Sequence, residues 1–358
     1  EDFYNTRKFN LLNDNKLTQI KTFKITKDKS INSKSLILKI YNKNIIIFTY
    51  DSVLQFYDIN NFNLIKKIKL KNKFIDENFP TSIAYTNNNI IIAYSDGIII
   101  AINYLGEVIW EKNYYDINKT PIKIVDQDIL LLLSDKIISL DIKNGNLNWQ
   151  HKYLSNNILQ SSGGQITNIN NQIFFILPNN KNGEIDIIFG EKNNSTFTNL
   201  NFINSINNSF DSIHSFENYI SYFDQKKYIT TINTINDNLI LSKVNIKNVN
   251  SHFYFNNSLF ILTNNFILKS YNIKNKNIFW KLNLTDIIKN KDKIINISNF
   301  NNHLFIFFAN GIILKIDNKK GTILDIQKLE IKNIKNVYFS NNFIIFDHSH
   351  NKLSIYSQ

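Results

Sequence analysis

The histidines are the residues best suited to chemistry, and only two of the six are spaced to act together. His348 and His350 are separated by one residue. Residues i and i+2 of a strand share a face, so both imidazoles could reach one metal ion. The pair follows Asp347 in a predicted turn near the end of the chain, and no third ligand can be assigned. The sequence therefore favours a solvated turn over a metal site.

Aspartates and one Ser-Gly run are the other candidates for chemistry. Asp96, Asp135 and Asp141 recur at polar turns between apolar runs, where an aspartate hydrogen-bonds to its own backbone. We interpret them as turn residues rather than acid–base catalysts. The glycine-rich run Ser161–Gly164 precedes no predicted helix, so it is neither a phosphate loop nor a nucleophile elbow. No catalytic triad and no catalytic carboxylate pair are predicted.

The composition excludes several further classes of site. The 358 residues include no cysteine, which excludes disulfides, thiolate metal sites and a cysteine nucleophile. The net charge is +12, but Arg7 is the single arginine and the lysines are spread along the chain. A nucleic-acid surface would cluster its basic residues and favour arginine. We attribute the charge to a base-composition bias toward lysine, asparagine and isoleucine, and predict no nucleic-acid partner. No apolar run approaches the ~18 residues of a membrane helix.

The elements that carry these residues are short β-strands arranged in a repeat. β-Branched runs alternate with polar turns, and the same unit recurs about every 43 residues. The onsets are Ile45, Ile90, Ile129, Ile173, Tyr219, Leu259, Leu304 and Phe343. Four antiparallel strands in about 40–45 residues are typical of one propeller blade. The sequence therefore predicts an all-β fold, an eight-bladed β-propeller of four-stranded antiparallel blades.

The three tryptophans and the two chain ends fit the same frame. Trp110, Trp149 and Trp280 each lie four residues after the turn that precedes the fourth strand, and we expect each to pack between neighbouring blades. The last unit lacks a fourth strand. Leu17–Thr26, before the first complete unit, alternates apolar and polar residues like a strand but belongs to none of the units. We predict that this N-terminal strand completes the last blade, which closes the propeller and removes an open edge. Residues 1–16 would then be an N-terminal tether, and residues 17–358 a single domain.

The repeat resembles the quinoprotein type, with its pattern A-L-D-x-x-T-G-x-x-x-W. Ser139–Gly145 followed by Trp149 is similar to this pattern, and Asp96–Trp110 carries another copy. Eight such repeats in a basic chain of this length resemble the BamB-type outer-membrane protein assembly lipoproteins. The resemblance implies a non-catalytic scaffold at the periplasmic face of the outer membrane, held by a lipid anchor on a cysteine that this chain does not contain. It also implies binding to the barrel-insertion protein of the assembly complex, through that protein's periplasmic domains.

The family implies partner contacts in loops that link blades near the middle of the chain. Ile158 and Leu159 fall where the family presents apolar residues, and Gln160 falls where it presents an arginine. Asp211 lies near the family's acidic positions. These four residues are the predicted partner-binding residues, and nascent outer-membrane proteins are a second candidate partner.

An enzyme stays open as the alternative function. Quinone-dependent dehydrogenases of this repeat type have longer chains, adjacent cysteines, a Ca²⁺ carboxylate set and a catalytic aspartate. A site of that kind would lie in the central channel of the propeller. The lack of cysteine and the short chain favour the scaffold, so no catalytic residue, cofactor or metal ion is predicted.

Overall fold

The computed structural model describes most of the chain as β-strands and tight turns. The described residues are 16–25, 37–41, 44–49, 53–70, 80–116, 121–152, 165–169, 172–179, 184–191, 197–205, 213–216, 219–224, 228–233, 240–245, 249–255, 258–272, 277–285, 287, 293–300, 303–340, 343–349 and 352–357. These residues form strands β1 to β32 and no α-helix. The all-β prediction is confirmed.

The strands are short, as their β-branched runs and polar turns predict. Their bounds are β1 Thr18–Lys24, β2 Ile37–Tyr41, β3 Asn44–Phe48, β4 Val53–Asp58, β5 Leu64–Lys69, β6 Pro80–Tyr85, β7 Asn89–Tyr94, β8 Ile98–Asn103, β9 Val108–Asn113, β10 Lys123–Val125, β11 Asp128–Leu132, β12 Lys136–Asp141, β13 Leu147–Lys152, β14 Gln165–Ile169, β15 Gln172–Asn179, β16 Glu184–Glu191, β17 Phe197–Ser205, β18 Ile213–Phe216, β19 Tyr219–Asp224, β20 Tyr228–Asn233, β21 Ile240–Asn245, β22 Val249–Phe255, β23 Ser258–Thr263, β24 Ile267–Asn272, β25 Ile278–Asn283, β26 Ile294–Phe300, β27 His303–Phe308, β28 Ile312–Asp317, β29 Ile323–Lys328, β30 Asn336–Phe339, β31 Ile344–His348 and β32 Lys352–Ser357.

Over the described ranges the strands assemble into eight four-stranded sheets. Seven of them take four consecutive strands, from β2-β3-β4-β5 to β26-β27-β28-β29. The remaining sheet has the order β1-β32-β31-β30, and β1 runs antiparallel to β32 from Thr18 opposite Ser357 to Lys24 opposite Lys352. The segment predicted to be a spare outer strand therefore pairs with the last strand of the chain.

Where side-chain burial is described, it falls from the middle strands to the outermost strand of a sheet. In β7 every residue after Asn89 is buried, whereas in β9 only Trp110 is buried and three residues are exposed. Middle strands that are covered on both faces read as continuous apolar runs, and outer strands alternate. This is why the middle-strand runs of the repeat are rich in isoleucine and the fourth-strand runs carry lysine.

The core lies between successive sheets in each of two compact units. One unit comprises Phe48–Leu54 and Lys67–Lys247. In it, one apolar cluster joins β7 and β8 to β11 and β12, and a second joins β11 and β12 to β14 and β15. The other unit comprises Glu1–Ile47, Gln55–Lys66 and Asn248–Gln358. There, three clusters join the sheet of β22–β25 to that of β26–β29, the latter to β30–β32, and β31–β32 to β3 and β4.

Across the described ranges, no helix has the length and apolar character needed to cross a bilayer.

Candidate interaction site

The predicted partner-binding residues lie between β13 and β14 and between β17 and β18 along the chain. Ile158, Leu159, Gln160 and Asp211 are all outside the described residues. Their role therefore stays a prediction.

A β-bulge in the outermost strand determines where the repeat tryptophans point. In the pairing of β8 with β9, Ala101 lies opposite Trp110, but Ile102 lies opposite Val108, so Ile109 is an extra residue. A bulge of this kind changes the side of the sheet to which the following side chains point. It leaves Ile109 exposed and turns the next residue, Trp110, into the interior.

Trp110 packs against the hairpin of the next sheet. Its indole Nε1 donates a hydrogen bond to the carbonyl of Ile142 at 3.2 Å. The ring also covers Gly145, where a Cβ would lie 2.6 Å from the Trp110 Cε3 atom. Gly145 has φ +70°, a conformation that glycine adopts without steric cost. The D-x-x-x-G turn is therefore shaped both by its own backbone and by the tryptophan that lies on it.

Trp280 forms the same joint in the other unit. Its Nε1 donates to the carbonyl of Asn318 at 2.8 Å, and a Cβ on Gly321 would lie 2.3 Å from its Cδ2 atom. Trp149 is partly buried against the cluster that joins its sheet to the next one. These contacts make the tryptophans packing residues between successive sheets.

A lysine takes the tryptophan position in the sheet that contains both chain ends. The register shift in β1 lies between Gln19 and Lys21, so Lys21 stands where three other sheets place tryptophan. Its Nζ donates to the carbonyls of Asn61 and Phe62 at 3.3 and 3.1 Å, and to Asn63 Oδ1 at 3.1 Å. An ammonium group thus replaces the indole N–H as the donor to the neighbouring turn.

Phe62 occupies the glycine position of that same turn. It has φ +57° and is only 4% exposed. Its ring contacts Phe343 edge to face, with the centroids 5.1 Å apart. The lysine side chain contacts the turn through its ammonium hydrogen bonds. The phenylalanine side chain is buried in the adjoining apolar cluster. This pair was not predicted from the sequence, because Lys21 and the turn of Phe62 belong to different sheets and the repeat frame relates positions within one sheet.

Side chains from two other strands hold the start of β1. The Gln327 amide pairs with the backbone of Leu17 twice, accepting from its N–H at 3.0 Å and donating to its carbonyl at 2.9 Å. The Tyr356 hydroxyl donates to Gln19 Oε1 at 2.9 Å. Because Gln327 reproduces the bonding of a peptide group, it anchors the backbone where the chain enters the sheet.

His348 is not in a solvated turn, so that prediction was wrong. It is the last residue of β31, is 6% exposed, and lies with its Nε2 atom 2.7 Å from Ser354 Oγ. Ser354 Oγ is in turn 2.7 Å from Thr22 Oγ1 of β1. Burial lowers the pKa of His348, and the charges of Lys352 and Lys335 lower it further.

The strand extends to His348 because its polar residues pair with β32, which the local sequence does not reveal. His350 lies outside the described residues. Within the described part of the chain, no three His, Asp or Glu side chains are grouped as metal ligands would be.

The recurrent aspartates divide into two groups. Asp141 Oδ1 accepts hydrogen bonds from the N–H groups of Lys143 and Asn144 at 2.8 and 3.1 Å, as expected of a turn residue. Asp96 Oδ1 accepts from the N–H of Ile98 at 3.3 Å. Asp135 lies in the bend between β11 and β12, and its buried Oδ1 atom accepts no hydrogen bond from the described residues.

Exposed apolar side chains are concentrated at the start of the outermost strands. The bulge and the residue before it contribute most of them, and each group lies beside a joint between two sheets. They are Ile20, Leu64, Ile65, Val108, Ile109, Leu147, Ile278, Phe279, Leu324 and Ile326. Outermost strands normally carry charges that block association, so these apolar groups are the described surface best suited to contact another molecule.

The fold is similar to that of solved β-propellers over nearly the whole chain. BamB from Moraxella catarrhalis superposes with a TM-score of 0.69 at 12% sequence identity, covering 96% of this chain and 100% of that one. The Dos1 propeller has a TM-score of 0.70 at 12% identity, covering 95% of each chain. The C-terminal WD40 domain of Sif2 has a TM-score of 0.65 at 12% identity, covering 96% and 98%. These likenesses show a β-propeller fold.

Neither a protein-family model nor a curated protein sequence matches the chain.

Proposed function

We propose that the protein is a non-catalytic propeller scaffold of the outer-membrane β-barrel assembly machinery. In this role it binds the barrel-insertion protein and assists the insertion of outer-membrane proteins. We place it at the periplasmic face of the outer membrane, held by a lipid anchor that this chain does not contain.

The observation that carries the proposal is the combination of the quinoprotein-type repeat with full-length similarity to BamB. The similarity to BamB spans all of that chain and nearly all of this one. The other propellers are about as similar in fold as BamB is. The choice of the barrel-insertion protein as the partner therefore depends on the repeat motif. In each unit a Trp–Gly contact joins two successive sheets, and such a packed framework suits a scaffold that presents binding residues on its loops.

The test is recovery of the partner from cell envelopes. A tagged chain is used to capture bound proteins, alongside a variant that carries Ile158→Asp and Leu159→Asp. A buried charge in an apolar contact is costly, so we expect the variant to recover at least about tenfold less barrel-insertion protein. Leu147→Asp is the control, since Leu147 is 47% exposed on a strand outside that loop. Failure of the unmodified chain to recover any barrel-assembly component would refute the proposal.

We also propose the finer form of the fold, eight blades in one ring that β1 closes. The pairing of Thr22 with Ser354 supports the closing step. Because the chain has no cysteine, Thr22→Cys with Ser354→Cys is expected to give a single intramolecular disulfide on oxidation, seen as a shift in gel mobility. Thr22→Cys with Lys352→Cys is the control, because Lys352 pairs with Lys24 instead. Equal cross-linking of both pairs would contradict the register.

The non-catalytic part of the proposal has its own test. The purified protein is expected to show no absorbance beyond that of its aromatic residues. A quinone chromophore that co-purifies in equal molar amount would favour the enzyme instead.

A further inference from the structure

The outermost strands of two successive sheets carry exposed apolar side chains. Ile278 and Phe279 begin β25, and Leu324 and Ile326 lie on β29; they are 53%, 54%, 48% and 49% exposed. Trp280, which follows Phe279, packs against the turn that precedes β29. We refer to these four residues as the β25–β29 patch.

Exposed lysines lie on the same elements as the β25–β29 patch. Its two strands and the turn before β29 carry four of them, Lys281, Lys319, Lys320 and Lys328, and the carboxylates on or next to these elements are Asp317, Asp325 and Glu330. Asp317 Oδ1 accepts hydrogen bonds from the N–H groups of Lys319 and Lys320, both at 2.8 Å. These hydrogen bonds and the charge of Lys320 lower the pKa of Asp317, and both lysine side chains are exposed on the surface of the turn.

The edges of these strands are poorly suited to receive a strand from another protein. The pairing of β24 with β25 shifts between Ser270 and Tyr271, and that of β28 with β29 shifts between Lys315 and Ile316. Each bulge breaks the regular spacing of the backbone at the apolar positions, and edge lysines further oppose pairing. A lipid surface makes no backbone pairing with the strand, so a bulge does not prevent it from accepting the apolar side chains.

We propose that the β25–β29 patch docks the protein on an anionic phospholipid surface. Its four apolar side chains enter the interfacial layer, and the exposed lysines contact the headgroup phosphates. Each lysine near such a surface strengthens binding about fivefold, and the apolar side chains add to this in proportion to the area they bury. The inference does not depend on the barrel-assembly role, because only the protein and lipid are needed to test it.

The other unit supplies a matched control. Val108, Ile109 and Leu147 lie in the same way beside the Trp110 joint and are 55%, 44% and 47% exposed. Their exposed neighbours include Glu107 and Glu111. This surface has similar apolar character but carries carboxylates, which an anionic bilayer repels.

The experiment is co-sedimentation of the purified chain with vesicles of phosphatidylcholine alone or mixed with phosphatidylglycerol. We expect binding to the mixed vesicles only, weakened by salt. The variant Phe279→Ser with Leu324→Ser should lower the partition coefficient about tenfold or more. Lys319→Glu with Lys320→Glu should lower it at least as much, whereas Val108→Ser with Ile109→Ser should leave it within about twofold. Circular dichroism and thermal melting establish that each variant is folded.

Three results would overturn the proposal. The first is no preference for phosphatidylglycerol vesicles at low salt. The second is an equal loss in the control variant, which would indicate attraction by the overall charge. The third is loss of a captured protein partner in the patch variants without any vesicle binding, which would make the surface a protein-docking site.

Discussion

The joint between Trp280 and Gly321 allows a direct test of how successive sheets are held together. Replacing Gly321 by alanine places a Cβ 2.3 Å from the indole Cδ2 and 2.5 Å from Cε3. The backbone at φ +68° costs a non-glycine residue about 1 kcal/mol, and overpacking of this kind costs about 1–3 kcal/mol. We therefore expect Gly321→Ala to lower the free energy of unfolding by about 2–4 kcal/mol.

A double-mutant cycle separates the steric clash from the backbone strain. Trp280→Ala alone should cost about 3–5 kcal/mol, because Trp280 is 9% exposed and leaves a cavity. Without the indole, the three atoms nearest to the new Cβ are absent, so the double variant should be less destabilised than the sum by about 1–3 kcal/mol. Chemical denaturation followed by circular dichroism at one temperature measures all four proteins.

Gly311→Ala is the control for this cycle. Gly311 has φ +90°, but its Cβ would lie 2.4 Å from the carbonyl oxygen of Ile331 and 2.9 Å from that of Leu329. Trp280→Ala cannot relieve contacts with those carbonyls, so the two changes should be additive. Additivity within about 0.5 kcal/mol for the Gly321 cycle as well would refute the packing role that we assign to the tryptophan.

Three further predictions concern the sheet that joins the two ends of the chain. Lys21→Met should lower the free energy of unfolding by about 1 kcal/mol, because its partly exposed hydrogen bonds are lost. Lys24→Met, at the exposed end of the same strand, should not lower it, and equal melting temperatures for the two variants would contradict the prediction. Phe62→Gly restores the glycine of the repeat, but it should destabilise the folded protein by about 2–4 kcal/mol, because the loss of a buried ring outweighs the relief of backbone strain. A higher denaturation midpoint for this variant would contradict the prediction. The lowered pKa of His348 means that the folded state favours the neutral imidazole ring. The neutral ring therefore stabilises the fold above the ordinary pKa of 6.5, and this stabilisation is lost as the pH falls through 6.5 toward the lower pKa of the folded state. Between about pH 7.5 and about pH 5.5 the melting temperature of His348→Gln should therefore fall less than that of the unmodified chain, and parallel slopes would contradict the assignment.

The positions of the strands and turns in the repeat could be predicted from the sequence, because they depend on residues that are close together in the chain. Isoleucine-rich runs, Asp turns and the four-residue distance from turn to tryptophan depend on strand alternation and turn geometry within one sheet. The same frame also located the extra strand at the N-terminus. It failed at the last repeat, where β31 continues through Asp347 to His348. Asp347 and His348 pair there with Leu353 and Lys352 of β32. His348 also contacts Ser354, which contacts Thr22 from the other end of the chain, and no local pattern reports that contact.

The fold class and the repeat follow from the sequence alone, because short apolar runs of period two and tight polar turns are properties of neighbouring residues. The tertiary structure alone decided which side chains serve the joints between sheets. A bulge turns Trp110 and Trp280 inward and leaves Ile109 and Phe279 exposed, and a lysine replaces tryptophan where the two ends of the chain meet. Each of these outcomes depends on the register between strands and on contacts between residues far apart in the chain. A one-residue shift in register exchanges the buried and exposed faces, and composition and spacing do not determine it.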